Sequence, residues 1–227
     1  MNIHCCSFAS ESFKNRQEIQ SKIFSEVGFE FQNIHLYSPK ELGKIFFEMN
    51  PNASESNKFG WYSFKPFLIL NILKQLKNEE ILFYLDVNDK PLNGIKNYIE
   101  KCFCKNKNLD LLGLLTNYPN FKYLSKFNKK NISYEILLSS LLNCQPEAGA
   151  LAIKNSKRSR SIIWTWYYLT LTQSYASDEF LDIKSRHDQE TLFTLSRLYK
   201  SIKLESWFLY KLTGKGLRKY IDFESLR

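Results

Sequence analysis

Short unbroken apolar runs alternate along the chain with segments whose apolar residues recur every three or four positions. Residues 3–8 form a run of strand length, and Ile19, Ile23, Phe24 and Val27 follow at the spacing of one helix face. Residues 33–37 predict a second strand, after which Pro39 opens a helix carrying Leu42, Ile45, Phe46 and Met49. The polar stretch 51–58 predicts a loop. Residues 65–77 predict a helix with Pro66 in its first turn, where a missing N–H costs little. Five consecutive apolar residues, Ile81-Leu82-Phe83-Tyr84-Leu85, then end abruptly at Asp86. The pattern continues with a helix over 95–104, a strand over 109–115, a basic aromatic loop over 118–131 and a helix over 132–142. It closes with a strand over 148–153, an aromatic-rich helix over 156–175, a polar stretch over 177–186 and a helix over 188–200. Asp188 reads there as an N-cap or first-turn acid. Strands alternating with helices predict an α/β domain, a mostly parallel sheet with helices on both faces. No linker rich in Pro, Gly or Ser divides residues 1–227. The chain therefore reads as one domain, with a core over about 1–208 and a basic tail over 209–227.

Composition narrows the class. Of 227 residues, 44% are hydrophobic and 15% aromatic, enough to bury a full core and to exclude a disordered or fibrous chain. No apolar run approaches the roughly 18–20 residues of a membrane-spanning helix. Residues 1–10 lack the charged lead and long apolar stretch of a secretory signal, so the expectation is a soluble cytoplasmic protein. The five cysteines are odd in number and lack a disulfide-framework spacing. Cys5 and Cys6 point to opposite strand faces, and Cys102-Phe103-Cys104 lacks the two-residue gap of a zinc knuckle. Buried structural thiols are the expectation.

Charge raises a rival reading. Lys and Arg number 32 against 23 Asp and Glu, a formal net charge of +9. Lys126, Lys129 and Lys130 interleave with Phe121, Tyr123 and Phe127, as in single-strand nucleic-acid binders. Lys154, Lys157, Arg158 and Arg160 form a second basic cluster, and Lys211, Lys215, Arg218 and Lys219 a third. No recognised nucleic-acid motif accompanies them, so solvated faces of a Lys/Asn-rich chain are preferred over nucleic-acid binding. Peripheral contact with an anionic membrane at its inner face stays open.

Three segments carry candidate chemistry. In an open α/β sheet, ligands bind beyond the carboxyl ends of the strands. Asp86-Val87-Asn88-Asp89 sits there, either as oxygen ligands for a hard divalent ion or as ordinary turn chemistry. Arg186-His187-Asp188-Gln189 gathers a cation, an imidazole, a carboxylate and an amide at the mouth of a helix, either an anion site or an N-cap cluster. In Gly60-Trp61-Tyr62-Ser63-Phe64-Lys65-Pro66, a buried Lys65 needs an anion such as Asp86 or a phosphate, unless it snorkels to solvent.

Taken in order, these segments resemble a family of small bacterial glycosyltransferases of the GT-A fold, often encoded with surface-polysaccharide genes. Residues 60–66 are similar to that family's Gly-x-Trp-x-Trp-Lys-Pro segment, and residues 81–86 to its apolar strand ending in Asp. Glu147-Ala148-Gly149-Ala150 resembles an Asn-Ala-Gly strand opening, and residues 186–189 a His-Asp-Gln element before the last helix. The resemblance implies a GT-A-like single domain that moves a sugar from a nucleotide diphosphate donor to a hydroxyl on a glycan or lipid-linked acceptor. It implies a divalent cofactor, Mn2+ or Mg2+, held by Asp86, Asn88, Asp89 and His187. It implies that Phe8, Ala9, Trp61, Lys65, Asp86, Ala148, Gly149 and Arg186 bind the donor, Phe8 by stacking on the base and Lys65 and Arg186 by facing phosphate. It implies catalytic roles for Asp188, Gln189 and His187, with retention of the anomer suggested by the Ala-Gly and Asp-Gln pieces. Three positions depart from the pattern: Asn88 stands for the second acid of Asp-x-Asp, Phe64 for a Trp, and Glu147 for an Asn. An inactive sugar-nucleotide-binding relative is thus the alternative within the same fold.

Overall fold

The computed structural model describes residues 1–51, 53–56, 58–119, 144–176, 187–223 and 225–226. The predicted loop over 118–131 beyond Pro119, the helix over 132–142 and the polar stretch over 177–186 lie outside them, as do the side chains of Trp61 and His187. Strand β1 (Ile3–Phe8) leads through a 3-10 turn into α1 (Lys14–Glu26), followed by β2 (Ile34–Tyr37), α2 (Pro39–Met49), the short α3 (Lys58–Trp61) and α4 (Phe64–Gln75). Then come β3 (Ile81–Leu85), β4 (Lys90–Pro91), α5 (Ile95–Lys105), β5 (Leu111–Pro119) and β6 (Cys144–Lys154). The chain continues through α6 (Lys157–Ala176), α7 (His187–Leu198), β7 (Ile202–Glu205), α8 (Trp207–Thr213) and β8 (Ile221–Asp222).

Six strands form one sheet in the order β2-β1-β3-β6-β5-β7, and β4 pairs with β8 in a small second sheet. Three of the five pairings in the large sheet are parallel, and β6 runs antiparallel to both its neighbours. Alternation along β1 and β3 sends side chains to both faces. Cys6, Phe8, Leu82 and Tyr84 pack under α2, α4 and α6, whereas Ile3, Cys5, Ile81, Phe83 and Leu85 pack under α1 and α5. Both faces are covered, so the apolar runs of β1 and β3 are buried without a polar alternation. Pro39 stands in the first turn of α2, as the sequence suggested, and Ser38 caps that helix through a reciprocal bond with Glu41.

The structure also departs from the pattern. Ile19 is 48% exposed, while Gln17 and Gln20 turn inward on α1. That helix lies over strand-end carbonyls and not only over apolar side chains. Gln17 Nε2 donates to the Ser7 and Tyr37 carbonyls at 3.2 and 2.9 Å. On α2, Leu42 and Phe46 share the buried face and Ile45 is exposed. The cysteines are all free, with Cys5 and Cys6 buried, but Cys104 is exposed. No helix among the described residues is long and apolar enough to cross a membrane.

Candidate active site

The end of β3, the middle of β6 and the first turns of α4 and α7 meet at one place. Asp86 follows β3 directly, and its backbone N–H donates to the Gly149 carbonyl at 2.7 Å. A Cβ on Gly149 would stand 2.7 Å from Asp86 Oδ2, so only glycine lets the carboxylate lie against β6 at this point. Ala148 is buried on the α4 and α6 side of the sheet.

Lys65 reaches the same carboxylate from α4. Its approach is unusual: Lys58, Phe59, Gly60 and Tyr62 have φ of 54, 51, 70 and 72°. Such left-handed non-glycine residues cost about 1–3 kcal/mol each and persist only where the surroundings over-determine them. Asn50 supplies that restraint, donating to the Phe46 carbonyl at 2.9 Å and to Tyr167 Oη at 3.1 Å while its Oδ1 accepts from Ser63 Oγ at 3.0 Å. A Cβ on Gly60 would lie 2.6 Å from Ser63 Oγ, so the clamp also needs glycine there. The strained turn delivers the Lys65 ammonium, with the residue only 4% exposed, into the site.

There Lys65 Nζ lies 3.0 Å from Asp86 Oδ2 and 3.3 Å from Asp188 Oδ2. Tyr84 Oη donates to the other Asp86 oxygen at 2.7 Å, and the Tyr62 ring centroid lies 5.0 Å from the ammonium. Asp188 is 2% exposed, whereas the Asp86 side chain keeps 33% of its surface. Burial would lower the Lys65 pKa, but Asp86 and Asp188 more than reverse this and hold it above its ordinary value. Burial raises the Asp188 pKa, with Lys65 opposing the shift and Asp86 adding to it. Burial, then the Asp86 charge, pushes the Tyr84 phenol well up, so it stays a donor. The result is one buried cation shared by two carboxylates, of which Asp86 is the more open.

Beside it, Glu147 Oε1 accepts from the Gly149 N–H and from Gln189 Nε2, both at 3.3 Å. That bond orients the Gln189 amide and leaves its buried Oε1 without a hydrogen-bond partner among the described residues. Trp166 Nε1 donates to the Asp188 carbonyl at 2.9 Å and ties α6 to the start of α7.

Other candidates are placed differently. Phe8 is buried, its ring 4.2 Å from that of Phe64 and 5.5 Å from that of Phe59, so it is a core aromatic and not an open stacking platform. Ala9 lies just past β1, with its N–H on the Tyr37 carbonyl at 3.0 Å. Lys65 faces carboxylates and not a phosphate cradle, and Asp188 bonds Lys65 where a helix cap was one expectation. Trp61 ends α3 and His187 opens α7, both described only in their backbone, and Arg186 lies outside the described residues.

The turn after Asp86 is held from α1. Gln20 Nε2 donates to the Asp86 and Asp89 carbonyls at 2.8 and 2.7 Å, and Asn88 Oδ1 accepts from Arg16 Nη1 at 2.6 Å. Asp89 is buried. Among the described residues, no three His, Cys, Asp or Glu side chains gather to hold a metal ion. The side-chain oxygen of Asn88 already accepts from a guanidinium. The described residues of Asp86–Asp89 therefore do not fit a divalent ion.

Sequence reasoning passed over Tyr84, Glu147 as the partner of Gln189, and the Arg16/Gln20 pair. Tyr84 had a usable signal, since it precedes Asp86 by two residues and period two places both on one face. Three of the four residues of the second basic cluster are engaged within the fold: Lys154 is buried with Nζ on the Lys107 carbonyl at 2.8 Å, Arg158 binds the buried Asp110, and Arg160 donates to Asn155 Oδ1 at 2.7 Å. The first cluster lies outside the described residues.

No protein-family model and no curated protein sequence matches the chain. Solved structures do. The chain is similar to the galactosyltransferase LgtC in complex with donor and acceptor sugar analogs, at 11% identity and a TM-score of 0.54, over 90% of this chain and 73% of that one. It is similar to a glycosyltransferase involved in glycosylation of the major capsid of PBCV-1, at 11% identity and a TM-score of 0.51, over 98% and 94% of the two chains. It is also similar to core-mannan synthase A from Aspergillus fumigatus in an Mn/GDP form, at 11% identity and a TM-score of 0.50, over 91% and 73%. At such identities the likeness concerns architecture: the fold is GT-A-like.

Proposed function

We propose that the chain is a glycosyltransferase that moves a sugar from a nucleotide diphosphate donor to an acceptor hydroxyl. The observation that carries this reading is the buried Lys65 ammonium between Asp86 and Asp188, beside a buried Gln189 oxygen lacking a partner among the described residues. It lies at the carboxyl end of β3, where open α/β sheets bind ligands. The GT-A-like fold supports the same reading by analogy of architecture.

As the bond between the anomeric carbon and the diphosphate breaks, positive charge grows on the sugar and negative charge on the departing group. Asp86, the more open carboxylate, accepts hydrogen bonds from hydroxyls of the donor, with Lys65 and Tyr84 fixing its plane. Asp188 and the Gln189 carbonyl face the sugar, whose hydroxyls donate to them, and the carboxylates stabilise the oxocarbenium-like centre by preorganised charge. Lys65 is a positioning residue in this scheme because both its partners are carboxylates of the protein.

The finer reading follows the resemblance: a hexosyl or related sugar, a glycan or lipid-linked acceptor in surface-polysaccharide assembly, retention of the anomer, and action in the cytoplasm at the inner face of an anionic membrane. The mannan synthase structure carries Mn and GDP.

Nucleotide diphosphate sugars should raise the melting temperature by mass action, and the selected donor should then be consumed with an acceptor glycan. Asp188→Ala should reduce transfer at least about a hundredfold, the loss typical of one preorganised group, while the circular-dichroism spectrum is kept. A flat response to every nucleotide sugar, with stabilisation by oligonucleotides, contradicts the proposal. Donor hydrolysis without acceptor separates an active enzyme from an inactive binding relative, and proton NMR of the product anomer decides retention.

A further inference from the structure

Residues 86–89 hold an amide where an Asp-x-Asp pair would hold its second acid, and a guanidinium sits on that amide. Arg16 and Gln20 are one turn apart on α1 and so share a face. Gln20 grips the carbonyls of Asp86 and Asp89, which fixes α1 against this turn, and Arg16 Nη1 donates to Asn88 Oδ1 at 2.6 Å. The guanidinium carbon lies 4.9 Å from the Phe13 ring centroid, which supports one face of the group. Among the described residues Arg16 makes no other hydrogen bond, so most of its five donors have no partner there, at a half-buried position.

A permanent cation thus stands at the carboxyl end of the parallel strands. Its planar fork matches two phosphate oxygens at once. A divalent ion on the same Asn88 oxygen would stand within a few ångströms of that guanidinium, an unfavourable pairing of like charges.

We propose that Arg16 is a donor-binding residue: oriented by Asn88, it supplies to the diphosphate of a nucleotide the positive charge that a second acid supplies by recruiting a metal ion. This inference rests on the glycosyltransferase reading and assigns the chemical class of group met at this corner of the site, a pyrophosphate.

Calorimetric titration of UDP, GDP, ADP, CDP and TDP into the full chain, in EDTA and again in Mn2+, tests it. At least one nucleotide should bind in EDTA, with Mn2+ changing its dissociation constant by less than about threefold. Arg16→Ala should weaken that binding by roughly tenfold or more, the scale of a charge-assisted pair, and Arg16→Lys should recover part of it. Should the alanine variant not fold, the lysine variant against wild type carries the comparison, since it keeps charge and loses the fork. Asn88→Asp should weaken binding in EDTA by pairing with Arg16, and manganese EPR should detect more bound ion than in wild type. Binding that vanishes in EDTA and returns with Mn2+ overturns the assignment while leaving the glycosyltransferase reading intact. An unchanged dissociation constant in both Arg16 variants does the same. No binding of any nucleotide in either condition overturns the glycosyltransferase reading itself, and this inference with it.

Discussion

At the scale of single residues, the site depends on one ammonium. Replacing Lys65 with methionine leaves Asp188 buried beside Asp86 with no cation between them. Removing one partner of a buried ion pair costs about 3–5 kcal/mol, so the urea midpoint of Lys65→Met should fall by a corresponding amount. Gly149→Ala should act on the site more than on stability: its Cβ would meet Asp86 Oδ2 at 2.7 Å and push the carboxylate off β6. The expected outcome is weaker nucleotide-sugar binding by calorimetry with little change in far-UV circular dichroism. Lys65 was legible in the sequence because a lysine among aromatics at a helix start must find an anion. Its second partner was not, because Asp188 is 123 residues away in the chain and its position reads equally well as a cap. Arg16 was invisible for a plainer reason. A half-buried arginine on a polar helix carries no signal until the turn beneath it is known.

Elements were readable where burial is one-sided or complete, and less so where polar groups face inward. The runs of β1 and β3 stand out because both faces of the sheet are covered. The inner face of α1 was misjudged because Gln17 and Gln20 satisfy strand-end carbonyls, a polar task that apolar periodicity does not register. Strand β7 and the two-residue strands β4 and β8 are too short for any periodic signal. The β1–β2 edge carries a pH-sensitive pair: His4 Nδ1 and His35 Nε2 lie 3.0 Å apart. Asn2 Nδ2 stands 3.0 Å and Glu80 Oε2 3.5 Å from His4 Nε2, Glu30 acts on His4 through its charge, and Tyr37 stacks on His35. Burial lowers both imidazole pKa values below 6.5, Glu80 opposing it at His4 and the His4 charge adding to it at His35. Both rings are therefore neutral in the fold, and the unfolded chain takes up protons first as pH falls. Stability from this edge is complete above pH 6.5 and declines below it. Melting temperature should hold steady above neutrality and drop as pH falls below 6.5, less steeply in His35→Asn. A flat profile, or the same slope in the variant, contradicts this.

For the whole molecule, α/β architecture followed from alternation, while the antiparallel β6 at the centre of the sheet did not, since period does not encode direction. The C-terminal residues are part of the core: Leu217 and Ile221 are buried with Ile95 and Phe103, and β8 pairs with β4. Deleting residues 217–227 should cost about 3–6 kcal/mol, the burial of two large aliphatic side chains, read as a lower denaturant midpoint. That deletion would also touch the turn after Asp86, because the Leu226 N–H donates to the Asn88 carbonyl at 3.1 Å. The turn bearing Asn88 is thus braced by α1, made early, and by residue 226, made more than a hundred residues later. During synthesis, when domains fold from their N-terminal side, the sheet can assemble while this corner still lacks its final brace. A ribosome-bound chain stalled before residue 217 would hold Asp86 and Arg16 in sequence but not yet the finished corner, so on the function proposed above nucleotide binding should wait until residue 226 has been made.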